Sequence, residues 1–202
     1  MSVGNHWLFT QQQLEDTPSR REKMSRVEED RIRRDGVKMI MEIGQLLKLT
    51  TNPTLATASV FFHRFYMFHS FNEYPKHEEV MSLERVLLQT IRFDLHVEHP
   101  YVYLLQYAKS FKLDREKMSQ ILTNAWTFIN DSCCTTLCLQ WEPEVIAIAF
   151  LYMAFKMATV EGEKLDWQDR NPDEQWWEAY MANLTVPMID DICHRFLDYY
   201  NE

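Results

Sequence analysis

A chain of 202 residues with 46% apolar and 25% charged residues can bury one large hydrophobic core or two small ones. Its formal charge of −9 disfavours general binding to nucleic-acid phosphates or anionic membranes, because both attract basic surfaces. The 4 glycines leave little room for glycine-rich phosphate loops, and the longest apolar run, Val145–Phe155, is too short to cross a membrane. The first residues lack the apolar stretch of a secretory signal, so we expect an intracellular protein.

The N-terminal residues are mostly polar. Trp7, Leu8 and Phe9 are expected to anchor a short helix within an N-terminal arm, residues 1–24. Residues 20–38 mix eight basic with five acidic side chains, which favours a solvated helix face over a nucleic-acid patch. Apolar residues at helical spacing predict a helix in which these face inward: Ile32, Gly36, Ile40, Ile43 and Leu47.

The stretch FFHRFYMFHSF, residues 61–71, holds six aromatic rings, two histidines and one arginine. Upstream, Asn52 as N-cap and Pro53 at the first helical position predict the start of a helix. Its expected inward stripe is Leu55, Ala58, Phe62, Phe65 and either Phe68 or His69. His63 and His69 would lie about 120° apart around this helix, so they are poorly placed to share a metal ion. We interpret the stretch as a packed helix face.

Six further helices follow in the sequence. Three have these expected inward residues: Val80, Leu83, Leu87 and Ile91; Leu104, Leu105, Ala108 and Phe111 after His99–Pro100; and Met118, Ile121, Leu122, Ala125, Phe128 and Ile129. The other three are a helix from Pro143, a short helix over 172–184, and a last helix over 187–200 whose inward residues include Phe196 and Leu197. The helix from Pro143 is apolar on every side, so it is expected to lie at the centre of the second half. The sequence therefore predicts an all-α protein.

No residue pattern points to catalysis, and we expect no enzyme activity, cofactor or metal. The four cysteines lack zinc-ligand spacing and are interpreted as reduced core thiols: Cys133, Cys134, Cys138 and Cys193. Neighbouring residues such as Cys193 and His194 point about 100° apart on a helix, which makes them poor nucleophile–base partners. The stretch QWWEAY, residues 175–180, is either a partner-binding patch or an amphipathic helix with one tryptophan buried, and we favour the helix.

Four stretches together resemble the transcriptional cyclins, most closely their K and T branches. They are WLFTQQQLEDTPSRR, FFHRFYMFHSF, LERVLLQTIRFDLHVEHPY and AWTFINDSCCTTLCLQWEPEVIA. The resemblance implies an all-α fold of two cyclin-box repeats, with an incomplete first box over residues 25–97 and a second over 98–202. It also implies a nuclear regulatory subunit that binds and activates a cyclin-dependent kinase of the transcription-elongation class. That kinase would phosphorylate the C-terminal repeats of RNA polymerase II, so the link to the polymerase would be indirect.

The resemblance also implies where the kinase binds. It places Glu84 at the acidic position that faces the kinase, with Phe93 and Leu95 at apolar positions just beyond the helix and Leu83 and Leu87 beside Glu84. A carboxylate among apolar residues accepts hydrogen bonds at an interface while its neighbours supply burial. Without the resemblance, Glu84 would be read as an ordinary solvated helix residue.

The chain departs from the family in its first repeat, where the third and fourth helices are absent between SFNEYPKH and EEVMSLERV. Residues 25–95 number 71, whereas residues 99–202 number 104. Three explanations remain open: the present chain omits a natural segment, it is a shortened non-activating isoform, or the first repeat has rearranged. The stretch VKMIMEIGQLL also differs from the MRAIL-like patch of cell-cycle cyclins, so docking of their substrates is not expected.

A different class of function is a double cyclin-repeat adaptor that contacts DNA, as in general transcription factors. Such a protein would need a basic face on its second repeat. From residue 99 onward acidic residues outnumber basic ones, which disfavours direct contact with nucleic acid.

Overall fold

The structure, a computed structural model, describes residues 5–49, 53–73, 80–158 and 175–201. Within these ranges it contains α-helices, two short 3-10 helices at Asn5–Trp7 and Leu137–Leu139, and no strand, which confirms the all-α prediction. The α-helices are α1 (Gln11–Glu15), α2 (Pro18–Arg21), α3 (Arg26–Leu46), α4 (Thr54–Phe65), α5 (Val80–Thr90), α6 (Pro100–Ala108), α7 (Arg115–Ser132), α8 (Pro143–Ala158) and α9 (Val186–Asn201).

The chain divides into two units. The first unit comprises Met1–Glu98 together with Cys133–Gln140, the connection between α7 and α8. The second unit comprises His99–Ser132 and Trp141–Glu202. The cyclin-box boundaries expected from the sequence, 25–97 and 98–202, stay a prediction.

Helix α8 is the core of the second unit, as its all-apolar sequence predicts. It packs against α6, α7 and α9, and all its residues from Val145 to Phe155 are buried except Tyr152. The Phe150 ring lies 4.7 Å from Phe196 and 6.2 Å from Phe128 between ring centroids. A helix apolar on every side is stable in water only when neighbours cover all of it, and three helices do so here.

The predicted short helix over 172–184 is wrong where the structure describes it, because residues 175–184 form turns. Residues 172–174 lie outside the described ranges. Both Trp176 and Trp177 are buried, rather than one of them, and so the pair is not an exposed partner-binding patch. Trp176 packs on Phe111 and Phe155, whereas the Trp177 indole N–H donates to the Leu184 carbonyl at 3.0 Å.

Two leucines expected to face inward in the second unit are exposed. Leu105 is 45% exposed and Leu197 is 39% exposed, whereas their neighbours Leu104 and Phe196 are fully buried. Neighbouring residues point about 100° apart on a helix, so only one of each pair reaches a narrow contact face.

In the first unit, α3 and α4 pack closely at two glycines. A Cβ added at Gly36 would lie 2.3 Å from Phe62 Cζ, and one at Gly44 would lie 2.2 Å from Leu55 Cδ2. Helix α4 starts at Thr54 with Pro53 as its N-cap, one residue later than predicted, and the predicted cap Asn52 lies outside the described ranges. Phe62 and Leu55 therefore do face α3, as the sequence pattern indicates.

The other side of α4 is more deeply buried than the predicted aromatic stripe. It carries Ala56, Ser59, Val60, His63 and Arg64. This side contacts the 3-10 helix Leu137–Leu139, so α4 is covered on two sides. The helix ends at Phe65, and the remaining aromatics of residues 61–71 fold back on it, with Tyr66 and Phe71 stacked 3.7 Å apart. The stretch is structural, as predicted, but it is not one helix face.

Replacing Gly36 by alanine should lower the free energy of unfolding by about 1–3 kcal/mol, although alanine favours helix. The added methyl group would meet the Phe62 ring, which other aromatic rings hold in place. Urea denaturation would measure the change. Gly44→Ala is the matched control, because its methyl group meets the flexible end of Leu55, and it should cost less. A stabilised Gly36→Ala variant would contradict the close packing.

The buried face of α3 differs from the prediction. It carries Glu29, Arg33, Val37 and Gly44, whereas Ile43 and Leu47, predicted to face inward, are 48% and 64% exposed. The charged residues 20–38 are thus only partly a solvated face. Arg33 bonds both to Glu29 and to carbonyls at the end of α4, so this side of α3 faces α4.

Candidate functional site

The five residues predicted to bind a kinase lie on α5 and on the loop that follows it. Leu83 and Leu87 are half-buried, and Glu84 is exposed. Phe93 and Leu95 are 65% and 57% exposed, which is unusual for large apolar side chains so close together in sequence. Fully buried Ile91 anchors the end of α5 in the first unit.

The loop after α5 begins with a Schellman motif. The Phe93 amide donates to the Leu88 carbonyl at 2.9 Å, and the Arg92 amide donates to the Gln89 carbonyl at 3.0 Å. Arg92 and Phe93 both have positive φ, 55° and 56°, where glycine is usual. A left-handed conformation costs a non-glycine residue about 1–2 kcal/mol, so other contacts must hold this loop.

Asp94, between the two exposed apolar residues, supplies one such contact. Its Oδ2 accepts a hydrogen bond from the Trp7 indole N–H at 2.8 Å and lies 3.2 Å from His6 Nε2. The Trp7 bond, with help from nearby Arg64 and from the His96 backbone, lowers the pKa of the Asp94 carboxyl. The carboxylate therefore stays charged at neutral pH and ties the loop to the N-terminal arm.

Trp7 is itself held on several sides. It is 5% exposed, with the Arg64 guanidinium 4.7 Å from its ring centroid and Phe68 edge-on at 6.2 Å. The Phe9 amide donates to the Leu139 carbonyl at 2.7 Å. This agrees with the predicted anchoring by Trp7 and Phe9. Burial lowers the pKa of Arg64, but it remains far above neutrality for an arginine.

A hydrogen bond also joins the end of α5 to the residues after α4. His69 Nε2 lies 2.9 Å from Thr90 Oγ1, and the Thr90 hydroxyl donates to the Val86 carbonyl at 2.8 Å. Since the hydroxyl proton is used by Val86, Thr90 accepts and His69 Nε2 donates. His63 instead meets the Cys133 carbonyl at 2.9 Å, so the two histidines have separate partners.

A buried charge network lies beneath α4 and was missed by the sequence reasoning. Arg33 Nη2 lies 2.8 Å from Glu29 Oε1 and 2.9 Å from the Tyr66 carbonyl, and Thr17 donates to Glu29 at 2.8 Å. Arg33 also donates to the His63 carbonyl at 3.3 Å. The arginine thus satisfies carbonyls at the C-terminal end of α4.

The remaining candidates offer no catalytic arrangement within the described ranges. The four cysteines are reduced thiols, and burial raises the pKa of Cys138 to about 11 and of Cys193 to about 12, which disfavours the nucleophilic thiolate. Asp191 pairs with Arg195 at 2.8 Å, and Asp190 with Lys156 at 3.8 Å. Among the described residues, no group of three or more possible ligands is placed to hold a metal ion.

None of the described helices is long and apolar enough to span a membrane. Charged side chains at the end of α2 and the start of α3 are also partly neutralised in pairs. Arg26 lies 3.4 Å from Asp30, and Arg21 lies 2.7 Å from Asp16. Such pairing disfavours a dedicated phosphate-binding surface there.

Comparison with known proteins gives relatives over nearly the whole chain, although no family model matches it. The chain is 39% identical over 240 residues to Cyclin-K of Homo sapiens, covering 97% of this chain and 41% of that protein. It is 27% identical over 244 residues to Cyclin-T2 of Homo sapiens, covering 96% of this chain and 32% of that protein. The chain therefore spans less than half the length of either relative.

The fold also matches a solved structure, a chain of the CAK complex from Chaetomium thermophilum bound to ATP-gamma-S. The TM-score is 0.63 at 16% identity, covering 97% of this chain and 75% of that chain. At this identity the likeness shows the fold alone. The alignment with Cyclin-K spans 240 positions against 202 residues here, so at least 38 of those positions have no residue in this chain.

Proposed function

Since the chain belongs to the transcriptional cyclins, we propose that it is the regulatory subunit of a cyclin-dependent kinase and binds that kinase through α5 and the following loop. The observation that carries the proposal is the exposure of Phe93 and Leu95, 65% and 57%, on the loop that follows α5, where Glu84 is exposed too. Burying two large apolar side chains at an interface contributes about 1.5–3 kcal/mol each before ordering costs. The Glu84 carboxylate would add directional hydrogen bonds.

The cyclin acts on its kinase without chemistry of its own. Contacts made only with the active arrangement of a mobile kinase helix shift the kinase population toward that arrangement. The kinase is of the transcription-elongation class, and its substrate is the C-terminal repeat region of RNA polymerase II. The complex works in the nucleus, and the cyclin reaches the polymerase through the kinase.

A shortened, non-activating form is the second candidate, and two observations favour it. At least 38 positions of the Cyclin-K alignment have no residue here. In addition, α3 exposes an apolar stripe at helical spacing, with Met39 at 60%, Ile43 at 48% and Leu46 at 82%. A stripe of this kind is normally covered by a further helix. Such a form would bind a kinase weakly and would not activate it.

Kinase binding and activation would test both candidates. The chain and its Glu84→Arg variant would be titrated against a panel of purified transcriptional cyclin-dependent kinases, with phosphorylation of a polymerase repeat peptide as a second readout. We expect charge reversal at Glu84 to weaken binding at least about tenfold, since a like charge then meets the donors of the kinase. Glu116→Arg is the matched control, because Glu116 is an exposed glutamate in the second unit.

Three other results would each change the conclusion. Binding without activation would support the shortened form. Equal binding by wild type and Glu84→Arg would show that α5 is not the kinase interface. Salt-dependent binding to DNA in place of kinase binding would favour the adaptor.

A further inference from the structure

The N-terminal arm reaches the proposed kinase surface at Asp94, which Trp7 and His6 both contact. The Trp7 indole N–H donates to Asp94 Oδ2 at 2.8 Å, and Asp94 lies between Phe93 and Leu95 in sequence. Arg92 and Phe93, the residues before Asp94, are in a left-handed conformation, which requires contacts to hold it. The Asp94 carboxylate also accepts from the His96 backbone, so it bonds to the loop again just beyond Leu95.

Trp7 is rigidly placed for this contact. The Arg64 guanidinium covers its ring at 4.7 Å, and the Phe9 amide bonds to the buried Leu139 at 2.7 Å. Trp7 does not belong to the proposed contact surface, since it is 5% exposed. Its indole therefore holds the loop through the bond to Asp94 and does not itself contact the partner.

We infer that Trp7 is a positioning residue for partner binding: through Asp94 it holds the loop that presents Phe93 and Leu95. The inference rests on the proposed function and adds to it the role of the N-terminal arm. Preorganising a loop lowers the ordering cost of binding, so loss of the contact reduces affinity without removing a contact atom. A hydrogen bond to a charged group typically changes an equilibrium constant by about tenfold or more.

The test compares two tryptophans in the full chain. Trp7→Phe removes the indole N–H and should weaken kinase binding about tenfold. Trp177→Phe is the matched control, because Trp177 is buried and also donates its indole N–H, to Leu184 in the second unit. It should leave the affinity within about twofold of wild type. Asp94→Asn keeps an oxygen that accepts from Trp7, so it should weaken binding less than Trp7→Phe does.

Hydrogen exchange on the free protein separates this inference from the proposed function. The Asp94 amide bonds to the Ile91 carbonyl at 3.0 Å, and we expect Trp7→Phe, but not Trp177→Phe, to speed exchange at Asp94 and Leu95. If Glu84→Arg weakens binding and Trp7→Phe does not, the positioning role is overturned and the proposed function stands. If neither variant weakens binding, the proposed surface fails, and unchanged exchange rates would overturn the positioning role as well.

Discussion

Replacing Arg33 by alanine should lower the free energy of unfolding by about 3–5 kcal/mol, because it leaves the buried Glu29 carboxylate without its main partner. Arg33 is 2% exposed and Glu29 is 4% exposed. Two nitrogens of Arg33 lie 2.8 and 3.1 Å from Glu29 Oε1. After the substitution, Thr17 at 2.8 Å and Arg20 at 3.9 Å still contact this carboxylate.

The variant also removes the donors of two carbonyls at the end of α4, those of His63 and Tyr66. Losing the hydrogen bond to the buried His63 carbonyl adds about 1–3 kcal/mol of desolvation cost, so the effect lies toward the upper part of the range. Chemical denaturation at pH 7.5 would measure it. A shift in the denaturant midpoint at constant slope identifies a change in stability alone.

Arg26→Ala is the matched control on the same helix. Arg26 and Asp30 have the same i, i+4 spacing as Glu29 and Arg33, but their side chains are 63% and 39% exposed. An exposed pair of this kind contributes about 0.3–0.5 kcal/mol, so the control should change stability little. Equal effects of the two substitutions would contradict a buried network.

The ion pairs Glu29–Arg33 and Arg26–Asp30 show why the burial of some charged side chains could not be predicted from the sequence. Local spacing identifies both as helical neighbours, and nothing in it distinguishes the buried pair from the exposed one. The distinction comes from Thr17 and from the carbonyls of α4, which are distant in sequence. Most of the helices were predictable, because α6 and α9 bury apolar residues at helical spacing and α8 is apolar on every side.

The candidate site was also predictable only in part. The resemblance supplied Glu84, Phe93 and Leu95, and the helical period placed α5. Nothing in the sequence indicates that Arg92 and Phe93 adopt positive φ, since glycine or asparagine usually marks such a turn. The link between Trp7 and Asp94 joins residues 87 positions apart, which no local pattern encodes.

The first unit should lose stability as the pH falls from about 6.5 to about 3, by roughly 1.4 kcal/mol per pH unit, because of His63. This side chain is fully buried, and burial, with nearby Arg33, lowers its pKa to about 3. Nε2 donates to the Cys133 carbonyl, and Nδ1 has no hydrogen-bond partner among the described residues. A second proton would therefore enter Nδ1 without an acceptor.

Stability falls rather than rises with acidification because the pKa of His63 is lowered in the folded chain. Above about pH 6.5 the imidazole is neutral in both folded and unfolded chains, so the contribution to stability is complete. Below that pH the unfolded chain binds a proton that the folded chain excludes, and stability falls. At pH 5 the loss from this group should be about 2 kcal/mol, which denaturant midpoints between pH 7.5 and 5 would detect.

His63→Gln separates this titration from that of other groups. A glutamine amide can donate to the Cys133 carbonyl but does not bind a proton in this range, so the variant should lose less stability between pH 7.5 and 5 than wild type. His194→Gln is the control, because His194 is exposed on α9, and it should keep the wild-type slope. Carboxylates contribute equally to all three proteins, so the difference in slope reports His63 alone. If His63→Gln kept the wild-type slope, proton exclusion by the packed side of α4 would be refuted.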